Sequence, residues 1–111
     1  MTEAWLLADD IGFADFFAVP VKSIPPCPDS LSHAKRELLR LCLRSRSSSV
    51  RHEVVRRDGS PGPLYVMRIN EFAQQHWNVE RARGNSPSLE RAIGRLRLMR
   101  EQLLQARDRS R

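Results

Sequence analysis

The fold class is decided by residues 50–69, which read VRHEVVRRDGSPGPLYVMRI. Two stretches with β-branched and aromatic residues, 50–57 and 64–69, flank a segment rich in Gly and Pro. Asp58-Gly59 and Pro61-Gly62 are dipeptides typical of turns. The pattern therefore predicts a β-hairpin with a loop longer than the tightest hairpin turns. Because a lone hairpin is marginally stable in water, we expect it to pack on helices.

Two helices are predicted on either side of this hairpin. Apolar side chains recur at steps of three and four over residues 31–46, and Asp29 or Ser30 can accept the N-cap hydrogen bond. A second helix is predicted over residues 70–85, with Asn70 as its N-cap and a glycine near its end.

The last predicted helix has Ser86 as N-cap and Pro87 at its first position, a favoured combination. Its apolar residues follow a heptad pattern of about two and a half repeats. They are Leu89, Ala92, Leu96, Met99, Leu103 and Ala106. This stripe could belong to the core of the chain, to a homodimer seam or to a face that binds a partner. We expect a homodimer that pairs through Leu89, Ile93, Leu96, Met99 and Leu103.

Residues 1–28 form an acidic leader that contains aromatic residues and Pro. Phe13, Phe16 and Phe17 suit one face of a short helix, and the prolines that follow prevent a long one. The Phe cluster could be ordinary core, a detachable segment that docks on a partner, or a frayed end. The predicted fold is therefore α+β and mainly α, with three helices, one β-hairpin and the aromatic-rich leader. Its predicted parts are the leader, 1–28, and a helix–hairpin–helix–helix domain, 29–111.

Composition limits the chain to one modest domain. It has 111 residues, 41% of them hydrophobic, and a formal net charge of +6. Seventeen of the nineteen basic residues are Arg. No apolar run approaches the ~20 residues of a membrane span, and two cysteines do not make a disulfide framework. We therefore expect no membrane association and a reducing, cytoplasmic location.

The residues that could carry chemistry do not form a recognisable site. There is no glycine-rich phosphate loop and no pair of Cys or His residues at metal-binding spacing, so we expect no cofactor, no metal and no enzymatic activity. Cys27 lies between two prolines and could be a reactive thiol, whereas Cys42 lies on an apolar helix face and is interpreted as core.

Two classes of binding function remain. In the first, the chain binds and restrains another regulatory protein, with apolar anchors and Arg at the rim. The expected anchors are Phe13, Phe16, Phe17, Tyr65 and Met67. The alternative is a DNA-binding transcriptional regulator that uses the first long helix and the hairpin as a wing. Its contacts would be Arg40, Arg44, Arg51, Arg56 and Arg57.

The chain resembles the small quorum-sensing anti-activators that bind LuxR-type receptors. The likeness lies in its length, the acidic Trp/Phe leader, the Arg-rich helical body and the segment Asp58-Gly59-Ser60-Pro61-Gly62-Pro63. The resemblance implies a dimeric cytoplasmic protein that masks the dimer surface of a receptor, a LuxR-type transcription factor, and so removes it from DNA. It implies no particular site residue.

Overall fold

The computed structural model describes residues 2–109, which form seven α-helices and two short 3-10 helices. The α-helices are α1 (Thr2–Ala8), α2 (Asp10–Phe17), α3 (Ala34–Leu43), α4 (Ser48–Glu53), α5 (Tyr65–Gln75), α6 (Val79–Asn85) and α7 (Pro87–Arg109). The 3-10 helices are Val21–Ser23 and Pro28–Ser30. No helix within residues 2–109 is both long and apolar enough to cross a bilayer.

The predicted β-hairpin is wrong, and with it the α+β class, because residues 2–109 contain no β-strand. The first half of the first predicted strand lies in α4, which begins where the Ser47 hydroxyl accepts a hydrogen bond from the Val50 N–H. The second lies in α5, whose buried residues Tyr65, Ile69 and Phe72 are spaced by four and three. That spacing is the period of a helix. The preference of β-branched residues for strands is therefore weaker here than the stabilisation gained by burying one helical face.

The turn inside the predicted hairpin does form, although the strands do not. Gly59 has a φ of 88°, and the Asp58 carboxylate accepts hydrogen bonds from the Ser60 N–H and hydroxyl. Val55 and Pro61 pair in an isolated antiparallel bridge. A Cβ on Gly62 would lie 2.6 Å from the Glu53 carbonyl oxygen, so the chain can close here only on glycine.

Three predicted helix boundaries have different outcomes. The first long helix is confirmed as α3, within the predicted range. Its predicted N-cap, Asp29 or Ser30, is wrong, because both residues lie in the separate 3-10 helix Pro28–Ser30 and α3 begins after His33. The predicted helix over 70–85 is wrong, because it is two helices, α5 and α6, and Asn70 lies inside α5. Asn78 is the N-cap of α6, and its side chain accepts a hydrogen bond from the Arg81 N–H at 3.0 Å.

The predicted N-cap of α7 is confirmed, since the Ser86 hydroxyl accepts a hydrogen bond from the Leu89 N–H at 3.2 Å.

The residues of the leader are part of the main core. Phe13 and Phe17 on α2 and Phe72 on α5 are completely buried, and their ring centroids lie 4.5 to 5.9 Å apart. α1 packs against α3 and α6, and the Trp77 indole N–H donates to the Trp5 carbonyl at 3.0 Å. Aromatic pairs at such distances add to the stability that burial of their area already gives. Helices α1 and α2 are therefore packed into the body.

Candidate protein-binding site on helix α7

The base of α7 is fixed to the body by polar contacts. The Asp29 carboxylate accepts hydrogen bonds from the Ser88 N–H at 2.8 Å and from the hydroxyls of Ser86 and Ser88 at 2.7 and 3.0 Å. Partial burial of Asp29 opposes its ionisation, but these bonds and the nearby Arg91 guanidinium together hold its pKa below the usual value. An ionised carboxylate at the first turn also interacts favourably with the helix dipole.

Apolar contacts hold the same end of α7. Leu89 is 4% exposed and forms a second, smaller core with Ala8 and Ala82. Ile93, Trp5 and Trp77 are partly buried and pack against this cluster. The first two turns of α7 are thus held by α1, by α6, by Trp77 in the loop before α6 and by the 3-10 helix Pro28–Ser30, which carries Asp29. These contacts fix the direction in which the rest of the helix points.

The second part of α7 projects from the body. Every residue from 94 to 109 is exposed. These residues extend the helix by about 24 Å at about 1.5 Å per residue. The projection explains why the molecule measures 58 Å along its longest axis but only 26 and 22 Å along the others.

An apolar stripe runs along the projecting part. It consists of Leu96, Met99 and Leu103, which are 64%, 56% and 69% exposed. Steps of three and four residues place these side chains on one side of the helix. We call them the α7 stripe. A row of large exposed side chains on a projecting element is typical of a surface that binds another protein.

The predicted homodimer residues divide between the body and the projection. Leu89 is buried in the chain's own core and Ile93 is half-buried against it, so neither is available as a seam. Leu96, Met99 and Leu103 are the exposed members. Leu98, 59% exposed, is a further large apolar side chain that the heptad analysis did not include, and it lies away from the stripe.

The predicted partner anchors are mostly in the core. Phe13 and Phe17 are fully buried, Phe16 is half-buried, and Tyr65 is 6% exposed. Neither Phe13 nor Phe17 can be reached by a partner while α2 is packed on the body. Burial, with smaller contributions from Glu3 and Cys42, raises the pKa of Tyr65, whose buried hydroxyl has no hydrogen-bond partner within residues 2–109. Met67 is 55% exposed on α5.

The Arg residues of the DNA-binding alternative make several contacts within the chain. Arg40 is ion-paired with Glu37, Arg51 donates to the Ser45 carbonyl, and Arg56 donates to the Pro61 carbonyl at 3.1 Å. Arg44 and Arg57 are exposed. Because residues 50–69 form no pair of strands, the basic wing on which this alternative depended is not formed.

A cavity of about 480 Å³ lies between α1, the start of α3 and the loop 59–61, and its lining mixes Glu3 with Lys35 and Arg36. Within residues 2–109, no three His, Cys, Asp or Glu side chains are grouped closely enough to hold a metal ion. Burial raises the pKa of the Cys42 thiol to about 12, and Cys27 is exposed.

Comparisons of this chain with known protein families, with curated proteins and with solved structures gave no significant match.

Proposed function

We propose that this protein is a non-enzymatic binding module that holds a partner protein through the α7 stripe. The observation that carries the proposal is the projection of residues 94–109, with Leu96, Met99 and Leu103 exposed along one side. An isolated helix of this length has marginal stability in water. Packing against another surface would therefore stabilise it. Burying each of these side chains would contribute about 1.5–3 kcal/mol to the complex.

The fixed base of α7 supports the same function. Asp29 and the small core around Leu89 hold the first two turns, so the projecting helix is aimed before any partner arrives. A fixed base limits the directions that the exposed turns can take, so less entropy is lost when they dock, even though those turns fray in the isolated chain. An amphipathic helix that lays its apolar face against another protein is a recurrent mode of recognition.

The regulatory role follows from the resemblance to quorum-sensing anti-activators. An anti-activator that masks the dimer surface of a transcription factor needs an apolar docking element and no catalytic group. The α7 stripe provides such an element. We therefore propose that the partner is a regulatory protein whose activity is blocked when α7 is bound.

Photo-crosslinking in the native cells tests the docking surface. A benzoylphenylalanine placed at Leu103 is expected to give discrete crosslinked products that contain a second polypeptide, because Leu103 lies in the stripe. The matched control carries the same group at Leu98, which is equally accessible but lies away from the stripe. Products are separated by size and identified by mass spectrometry.

Loss of the Leu103 products in a chain that also carries Leu96→Asp would confirm that the stripe is the contact. Equal patterns from positions 103 and 98, or no product from position 103, would contradict the proposed function.

A further inference from the structure

We infer that the occupant of the α7 stripe is an amphipathic helix of another protein that carries acidic residues along both edges of its apolar face. The inference rests on the proposed function, since it names the class of partner that the same surface binds. It also separates two occupants that the apolar residues alone do not distinguish, namely a second copy of this chain and a different protein.

The charges beside the stripe all have the same sign. In heptad notation Leu96 and Leu103 occupy a positions and Met99 a d position. The flanking e and g positions of the exposed segment then hold Arg95, Arg100, Gln102, Arg107 and Arg109. The acidic residues of this segment, Glu101 and Asp108, fall at f, on the opposite side of the helix. Any helix packed on the stripe would therefore lie between two basic edges.

A second copy does not suit these edges. In a parallel pair of helices a g residue faces the e residue of the next heptad, which would bring Arg95 against Arg100 of the second copy. In an antiparallel pair, e residues face e residues and g residues face g residues, so Arg of one copy again lies against Arg or Gln of the other. Like charges across such an interface oppose pairing, whichever direction the second helix takes.

Arg95 and Arg100, at the edges of the stripe, differ from several Arg side chains on the body. Arg40, Arg68 and Arg83 each form an ion pair with Glu. Within residues 2–109, no ion pair involves Arg95 or Arg100. Their guanidinium groups can donate two parallel hydrogen bonds to a carboxylate, which makes acidic e and g residues the complementary chemistry.

The centre of the face argues for a protein and against a nucleic acid. A surface that follows a phosphate backbone uses basic and polar side chains. Here three large apolar side chains lie between the Arg rows and are more than half exposed. Contact with phosphates would leave them without apolar partners, whereas a helix with Leu or Ile at its own a and d positions would bury them.

Binding of designed peptides to the full chain tests the inference. Two fluorescent three-heptad peptides share Leu at a and d and differ at e and g, where one carries Glu and the other Lys. At about 0.15 M salt, fluorescence anisotropy is expected to show the Glu peptide binding about tenfold or more tightly than the Lys peptide. The double variant R95E/R100E, which leaves Arg107 and Arg109 in place, should abolish this preference, and the matched variant R97E, at a b position, should keep it. Circular dichroism checks that each variant is folded.

Several outcomes would overturn the inference. They are equal affinity for the two peptides, a preference for the Lys peptide, or tighter binding of a short DNA duplex than of the Glu peptide. Sedimentation velocity of the chain alone should give a monomer, and a homodimer disrupted by Leu96→Asp would show that a second copy is the occupant. If neither peptide binds while the Leu103 crosslink still captures a different protein, the acidic-helix inference fails and the proposed function stands.

Discussion

Replacing Phe13 with Ala is expected to lower the free energy of unfolding by about 3–5 kcal/mol, the usual loss when a buried aromatic ring is removed. Phe13 is completely buried and lies 4.5 Å from Phe17 and 5.9 Å from Phe72, centroid to centroid. A domain of this size is stable by about 5–15 kcal/mol, so the variant would lose a large share of its stability. Urea unfolding followed by circular dichroism measures the change.

The control for Phe13→Ala is Ile11→Ala on the same helix. Ile11 is 58% exposed, so its truncation should change the unfolding free energy by less than about 0.5 kcal/mol. If Phe13→Ala were as mild as Ile11→Ala, then α2 would not be part of the core. The leader would then behave as the detachable segment that the sequence left open.

Replacing Asp9 with Ala is expected to cost about 2–3 kcal/mol, because three hydrogen-bonded groups lose a buried carboxylate. Asp9 is fully buried and accepts from the Gly12 N–H at 3.1 Å, the Asn78 N–H at 2.8 Å and the Arg81 guanidinium at 2.6 Å. These bonds cap α2 and hold the loop before α6 against it. Arg81 is 39% exposed and can return to water, so the cost stays below that of a wholly buried ion pair.

Thermal unfolding of Asp9→Ala and of Asp15→Ala provides the comparison. Asp15 is exposed on α2, and its removal should leave the midpoint within a degree or two. A midpoint for Asp9→Ala that equals that of Asp15→Ala would contradict the role of Asp9 as the link between α2 and α6.

The sequence predicted helices well where the apolar spacing is regular. Ser86 and Pro87 mark the start of α7, and the apolar spacing over 31–46 locates α3. Both signals are local, because a helix satisfies its own backbone and needs only one apolar face. The break between α5 and α6 was missed, although Asn78, a favoured N-cap residue, stands at it.

The hairpin error has a physical cause in residues 50–69. Val, Tyr and Ile are frequent in strands, but that preference is weak compared with the burial of a complete face. Val50 and Val54 are four residues apart, as are Tyr65 and Ile69, and all four are buried in the main core. The Asp58-Gly59 turn is genuine, yet a turn specifies only where the chain reverses.

The heptad pattern located the candidate site but not its inner boundary. Leu89, Leu96 and Leu103 share one register, so no local signal separates the buried residue from the exposed ones. The separation comes from Ala8 and Ala82, which reach Leu89 from other parts of the chain. A contact with a residue as distant in sequence as Ala8 cannot be derived from periodicity.

The central claim is that the α7 stripe is exposed in the isolated chain and becomes covered when a partner binds. Hydrogen exchange of the amides from 96 to 106 tests this directly. In the isolated chain they are expected to exchange much faster than those of α2 and α5, because an exposed helix frays. Addition of the Glu peptide should slow them selectively. Strong protection in the isolated monomer, or unchanged exchange when the peptide is bound, would contradict the account.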